Sequence, residues 1–303
     1  MSQMIDIVKQ YLEYKRSKQK IYPCHTNRAS NMGDECIRRL VYFRVAWNKQ
    51  LMPNVELQMI FDEGNIQEDA LMNDLRSAGI TIIEQQRAFS WPEHQISGMI
   101  DARVRDNGSV YPLEAKSMSP FIWDGVNSLE DFNKYPWVKK YLSQMVLYLL
   151  MSNSETGIFI LKNKSTGRIK QINVNLSDHL QLGEDLLQKA DRINAHIVNK
   201  TYPDKINNFK VCSECAFRHI CLPEILAKGG IEFFDNEALE KSLERRQELQ
   251  VFSKEYKQVD EQIKEELKRY MQDKKIICVG KWTIEKKVNA KDSISFDFTK
   301  LKE

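Results

Sequence analysis

Gly98-Met-Ile-Asp101-Ala-Arg-Val-Arg105-Asp106-Asn107-Gly108-Ser109-Val110-Tyr-Pro-Leu-Glu114-Ala115-Lys116 is the stretch on which the fold turns. Asn-Gly between two apolar-rich runs is the strongest short hairpin signal, because both residues accept the left-handed backbone that a two-residue turn demands. Residues 96–105 and 110–116 therefore read as antiparallel strands. The turn fixes their register: Asp106 pairs with Ser109, Arg105 with Val110 and, by continued counting, Asp101 with Glu114. Two carboxylates then face each other with β-carbons about 4.5–5.5 Å apart, where like charges repel unless a cation sits between them. Lys116, two residues beyond Glu114, projects from the same face.

Two oxygen donors suit Mg²⁺ or Mn²⁺, and an ammonium beside them can position a water, steady an attacking hydroxide or offset charge at a phosphate. Phosphodiester hydrolysis requires that set. A Glu-Ala-Lys triplet alone is common by chance and fits a solvated hairpin equally well. The turn-fixed pairing with Asp101, inside an otherwise apolar strand, distinguishes this one.

Outward from the hairpin, helices and strands mix. Periodicity predicts an amphipathic helix within residues 1–20, a helix over 55–77 ending at Gly79, and a strand over 80–88. A strongly apolar helix over 137–151, a second hairpin over 157–161 and 168–174, and a helix over 180–199 follow. Residues 236–272 form a charged helix on which Phe252, Tyr256, Val259, Ile263 and Leu267 recur four and three apart, a packing seam by default. A small hairpin over 276–288 and a polar tail finish the chain.

The 303 residues carry 45 basic against 42 acidic side chains, net +3, and are 42% hydrophobic. That is enough apolar content for a folded core and too little positive excess for a protein that merely coats nucleic acid. No stretch approaches the roughly 18 uninterrupted apolar residues of a membrane span. Six cysteines without a secretory signal point to a reducing, cytoplasmic setting, in which clustered cysteines bind metal more often than they form disulfides. Cys212, Cys215 and Cys221 place three thiols within ten residues and need a fourth ligand. His219 could supply it for zinc, although its spacing to Cys221 is uncommon. Cys24 and Cys278 read as small apolar packing residues.

The pattern Gly98-Met-Ile-Asp101 then Glu114-Ala-Lys116 resembles the signature of the PD-(D/E)XK nuclease superfamily, and its flanks resemble the RecB-like exonuclease branch. Upstream, Gly64-Asn-Ile-Gln67-Glu68 stands where that branch carries Gly-x-x-x-His with a metal-binding histidine; Gln67 is read in its place and Glu68 as the neighbouring substitute. Downstream, Gln144-Met-Val-Leu-Tyr148 matches Gln-x-x-x-Tyr, whose four-residue spacing puts both polar groups on one helix face. The isolated Cys36 before Ile37-Arg38-Arg39, with Cys-x2-Cys-x5-Cys later, is similar to AddB-type and CRISPR-associated RecB-like nucleases.

The resemblance implies an α/β restriction-endonuclease-like core with a mixed central sheet flanked by helices and a helical C-terminal appendage, divided as 1–228 and 229–303. It implies Asp101, Glu114, Lys116, Gln144 and Tyr148 as catalytic residues. Asp101, Glu114, Ala115 and one of Gln67 or Glu68 would hold Mg²⁺ or Mn²⁺. Cys36, Cys212, Cys215 and Cys221 would bind a 4Fe-4S cluster, with zinc as the alternative, since thiolates accept either.

The expected activity is a DNA nuclease, foremost an exonuclease on single-stranded or frayed DNA ends in repair, recombination or phage and CRISPR-related processing. A noncatalytic metal-stabilised nucleic-acid-binding module and an RNA-directed nuclease are the competing readings. Paired carboxylates facing an anionic backbone argue against the first. The C-terminal helix is a candidate for self-association or a protein partner.

Overall fold

The computed structural model describes residues 4–206, 208–222, 237–272, 274–280, 282–288 and 294–300. The chain divides into two compact units, Met1–Phe233 and Phe234–Glu303. The division expected at 228/229 lies outside the described residues.

The first unit is a mixed α/β structure. Its six strands are β1 (Asn27–Arg28), β2 (Thr81–Trp91), β3 (Ile96–Asp106), β4 (Ser109–Met118), β5 (Thr156–Asn163) and β6 (Ile169–Asn175). β3 pairs antiparallel with β2 along one edge; β4 pairs parallel with β5, and β5 antiparallel with β6. The turn between β3 and β4 is as the residues demand, with Asn107 and Gly108 at φ +46° and +85°.

Helices cover both faces. The major ones are α1 (Ile7–Lys18), α2 (Ile37–Val45), α3 (Val55–Ser77), α5 (Lys139–Ser152) and α6 (Leu180–Val198), and the short ones α4 (Pro120–Gly125), α7 (Phe209–Ser213) and α8 (Arg218–Cys221). Asn54 opens α3 by accepting the Leu57 amide at 2.7 Å, Glu56 and Arg76 complement its dipole, and Gly79 at φ +87° follows its end. Its Leu71 and Met72 pack on Ala102, Val104, Leu113, Ala115 and Ile160. Truncating a buried residue such as Met72 to alanine would cost about 2–5 kcal/mol. On the opposite face α5 buries every residue from Ser143 to Leu149, alongside Leu186, Ala190 and Ile193 of α6.

The second unit contains α9 (Glu237–Tyr270) and a three-stranded antiparallel sheet of β7 (Ile276–Val279), β8 (Trp282–Val288) and β9 (Ile294–Lys300). Three sequence expectations are corrected here. The tail is a strand, because Ile294, Phe296 and Phe298 alternate with polar residues and Phe296 packs on Leu267, Met271 and Ile284. The stripe on α9 is not a continuous seam: Leu267 is buried, whereas Phe252, Tyr256 and Val259 are exposed. Cys278 is exposed, since Ile277 takes the inward position of β7 and strand alternation turns the next residue outward.

Candidate functional site

The opposite edge of β3 is incomplete. β1 pairs with its first two residues, Ile96 and Ser97, and β4 with Ala102 to Asp106. Residues 98–101 have no strand partner on that edge among the described residues. The ladder that counting from the turn extends to Asp101 and Glu114 stops one pair earlier, at Ala102 and Leu113. The reason is non-local: from Leu113 onward β4 is drawn into its parallel pairing with β5. Where the strands part, the Asp101 carboxylate takes over and accepts the Ala115 main-chain N–H at 2.9 Å.

Glu114 is completely buried in this cleft. Its Oε2 accepts the Lys116 ammonium at 2.5 Å, and Lys116 Nζ stands 3.8 Å from Asp101 Oδ2. Its Oε1 is buried with no hydrogen-bond partner. Burial pushes the Glu114 carboxyl above the usual range, against the pull of Lys116. For Lys116, burial acts to lower the pKa, but Glu114 and Asp101 outweigh it and hold the ammonium charged. The ring of Tyr141 on α5, centred 5.2 Å from Nζ, completes the lysine's surroundings.

Strand alternation inverts at this point. Ile96 and Ile100 pack beneath α5 and α6, whereas Ala102 and Val104, of the same parity, pack beneath α3. The inversion falls at Asp101 and, on β2, at Gln86, which lies between the pairs Gln85–Ala102 and Arg87–Ile100 and has a left-handed backbone at φ +53°. Gln86 donates its side-chain amide to Glu68 Oε1 of α3. Burial, then the Asp101 carboxylate, push Glu68 up to about 7, while Lys116 pulls the other way. Gln67 instead donates to Glu63, one turn back on α3, at 2.8 Å. Counted from Gly64, the histidine position of Gly-x-x-x-His is also Glu68 rather than Gln67.

Gln144 and Tyr148 are buried together on α5. The Gln144 amide donates to Tyr148 Oη at 3.1 Å, and Tyr148 Oη donates to the Met99 carbonyl at 2.9 Å, in the gap on β3. Gly98 makes room: a β-carbon there would stand 2.5 Å from Tyr148 Cε1. Burial raises the phenol far above its ordinary pKa, so it remains a donor.

Cys36, Cys212, Cys215 and Cys221 line one pocket with Arg38, Arg39, Tyr42 and Arg218, and all four thiols are free. Burial raises the thiols of Cys36, Cys212 and Cys215, each of which also senses another cysteine. Asp34 lies beneath: buried, it accepts the Cys36 amide at 2.9 Å, the Arg39 guanidinium, and Lys140 of α5 at 3.0 Å. His219 Nδ1 is buried without a hydrogen-bond partner. Among the described residues no three His, Cys, Asp or Glu side chains stand close enough to hold a metal ion. Sequence reasoning missed Gln86, Tyr141 and Asp34, none of which belongs to a local motif.

No family model and no curated protein matches the chain. Among solved structures, the crystal structure of SSO0001 is similar at TM-score 0.42 and 16% identity, covering 72% of this chain and 96% of that one. An alkaline exonuclease, LHK-Exo, from Laribacter hongkongensis is similar at TM-score 0.40 and 12% identity, covering 63% and 93%. The same exonuclease in complex with dAMP gives 0.40 at 13% identity, with the same coverage.

Proposed function

We propose that the chain is a Mg²⁺- or Mn²⁺-dependent nuclease acting on DNA, foremost as an exonuclease at single-stranded or frayed ends. The observation that carries the reading is Glu114 Oε1, a carboxylate oxygen buried without a partner beside a second carboxylate and a charged lysine. A buried unpaired oxygen destabilises a fold and calls for a function. A divalent cation held by Asp101 and Glu114, with Glu68 as the third donor and Ala115 contributing main-chain oxygen, would satisfy it. Once bound, such a cation supplies Lewis acidity at a phosphate oxygen and a more acidic water.

The protein's own groups do the rest. Lys116, held charged between two carboxylates, positions the attacking water and offsets negative charge gathering on the phosphate. The Ala115 amide fixes the Asp101 carboxylate, and Tyr148, through Met99, fixes the strand from which Asp101 projects. Tyr141 shields the ammonium from solvent.

The pocket of four free thiols, with Arg38, Arg39 and Arg218 to offset their charge, fits a 4Fe-4S cluster with a structural role. Hydrolysis needs no electron transfer, and the hard cation already serves the chemistry. Incubating purified protein with end-labelled single- and double-stranded DNA and RNA, with and without Mn²⁺, tests the reading. Metal-dependent loss of DNA label, absent in Glu114→Ala, is the expected result. Binding without cleavage would favour the noncatalytic module, and cleavage confined to RNA would replace the substrate.

A further inference from the structure

Gln86 is the one residue of β2 that breaks its strand at the place where the candidate site needs a third ligand. Its left-handed φ of +53° is a conformation that side chains with a β-carbon seldom adopt outside turns. Strain of this kind persists only where the surroundings enforce it, and it gathers at functional sites. Three independent observations converge on what it serves here. By register Gln86 stands opposite Asp101. Its amide donates to Glu68. Glu68 in turn lies near enough to Asp101 and Lys116 to feel both charges.

On the metal-dependent reading above, we propose that Gln86 is a positioning residue: its amide holds Glu68 toward Asp101 and so gives the centre a third carboxylate donor. The hydrogen bond engages Oε1 of Glu68, and Gln86 makes no claim on Oε2. This is the arrangement by which an outer residue orients a metal-binding carboxylate while leaving an oxygen for the cation. Glutamine does this as a donor without adding charge; a lysine or arginine in its place would compete with the metal for Glu68. The resulting donor set is all oxygen, so the centre should favour hard cations, Mg²⁺ and Mn²⁺, over the borderline Zn²⁺ that imidazole attracts.

The test separates the hydrogen bond from the backbone strain. Mn²⁺ and Zn²⁺ affinities are measured by titration calorimetry, and thermal midpoints without metal, for wild type, Glu114→Ala, Gln86→Gly, Gln86→Asn, Glu68→Ala and the double variant Gln86→Gly/Glu68→Ala. Glycine accepts the left-handed backbone without strain and asparagine tolerates it, so both should fold with midpoints at or above wild type. Loss of the amide should weaken Mn²⁺ binding about 10–100-fold. In the Glu68→Ala background the same change should do nothing further, since Gln86 acts through Glu68. Wild-type Mn²⁺ affinity in both Gln86 variants would overturn the proposal, as would an undiminished effect of Gln86→Gly without Glu68. If Glu114→Ala binds Mn²⁺ as wild type does, the metal-centre reading itself fails.

Discussion

Tyr148 donates its hydroxyl to the main-chain carbonyl of Met99 at 2.9 Å, filling with a side chain from α5 a place on β3 that no strand occupies. A buried carbonyl must be satisfied somewhere, and here the partner also supports the strand that carries Asp101. Tyr148→Phe should therefore destabilise the fold by about 1–3 kcal/mol, the cost of stranding the Met99 carbonyl and the Gln144 amide. Cleavage should fall as well, and the pair of measurements is a chemical melt with a nuclease assay. An unchanged melt would mean that water replaces the hydroxyl.

Gly98→Ala should act on the same contact from the other side. The added methyl would overlap the Tyr148 ring edge, and overpacking of this kind costs about 1–3 kcal/mol. Because both substitutions disturb one contact, their combined cost should be less than the sum of the two. Full additivity in a double-variant melt would show that Gly98 and Tyr148 act separately.

Asp101→Asn should separate structure from chemistry. The amide oxygen can still accept the Ala115 N–H, so the melting temperature should stay near wild type, while the lost charge removes Mn²⁺ binding and cleavage. Asp101→Ala should lose stability too. Residual cleavage in Asp101→Asn at saturating Mn²⁺ would place the metal elsewhere.

The hairpin is legible because its information is local: Asn107 and Gly108 specify the turn, and the turn specifies the pairs beside it. Counting along those pairs brings Asp101 into the neighbourhood of Glu114 but misstates the contact. What ends the ladder is β5, more than forty residues on, and no local pattern announces it. Gln86, Asp34 and Tyr141 are illegible for the same reason, since each has meaning only through a partner from a distant segment. β9 is a different case: the alternation of Ile294, Phe296 and Phe298 is visible in the sequence, though short and flanked by polar residues. The exposure of Phe252, Tyr256 and Val259 shows that helical periodicity identifies a face without saying that anything covers it.

The acid side of the pH range should reveal Glu68. The folded protein keeps this proton from the ordinary range near 4.5 up to about 7, whereas the unfolded chain has released it. In that window the folded state binds more protons, so stability falls as pH rises through it. Metal-free Glu68→Gln escapes this loss. Its melting temperature relative to wild type should climb between pH 4.5 and 7 and level off above. A difference that does not vary with pH would mean that Glu68 titrates as an ordinary surface acid.

Protein purified without oxygen should be brown and should lose colour and thermal stability together in Cys215→Ser. Four thiols drawn from distant parts of the chain would, through a shared cluster, restrict the unfolded state as a long-loop cross-link does. Cys36→Ala should behave alike. A colourless preparation holding one equivalent of zinc would replace the cluster with a single ion.

The Ala115 amide is bonded to a carboxylate where its neighbours on β4 are bonded to other strands, and this makes it a reporter. Its exchange with deuterated solvent depends on one side chain, and its nitrogen resonance on the charge of that side chain. A cation that draws electron density from Asp101 should move this single resonance and alter this single exchange rate, while the amides paired between β4 and β5 stay unmoved. Occupancy of the centre could thus be followed at one atom, in the resting protein, with no nucleic acid present.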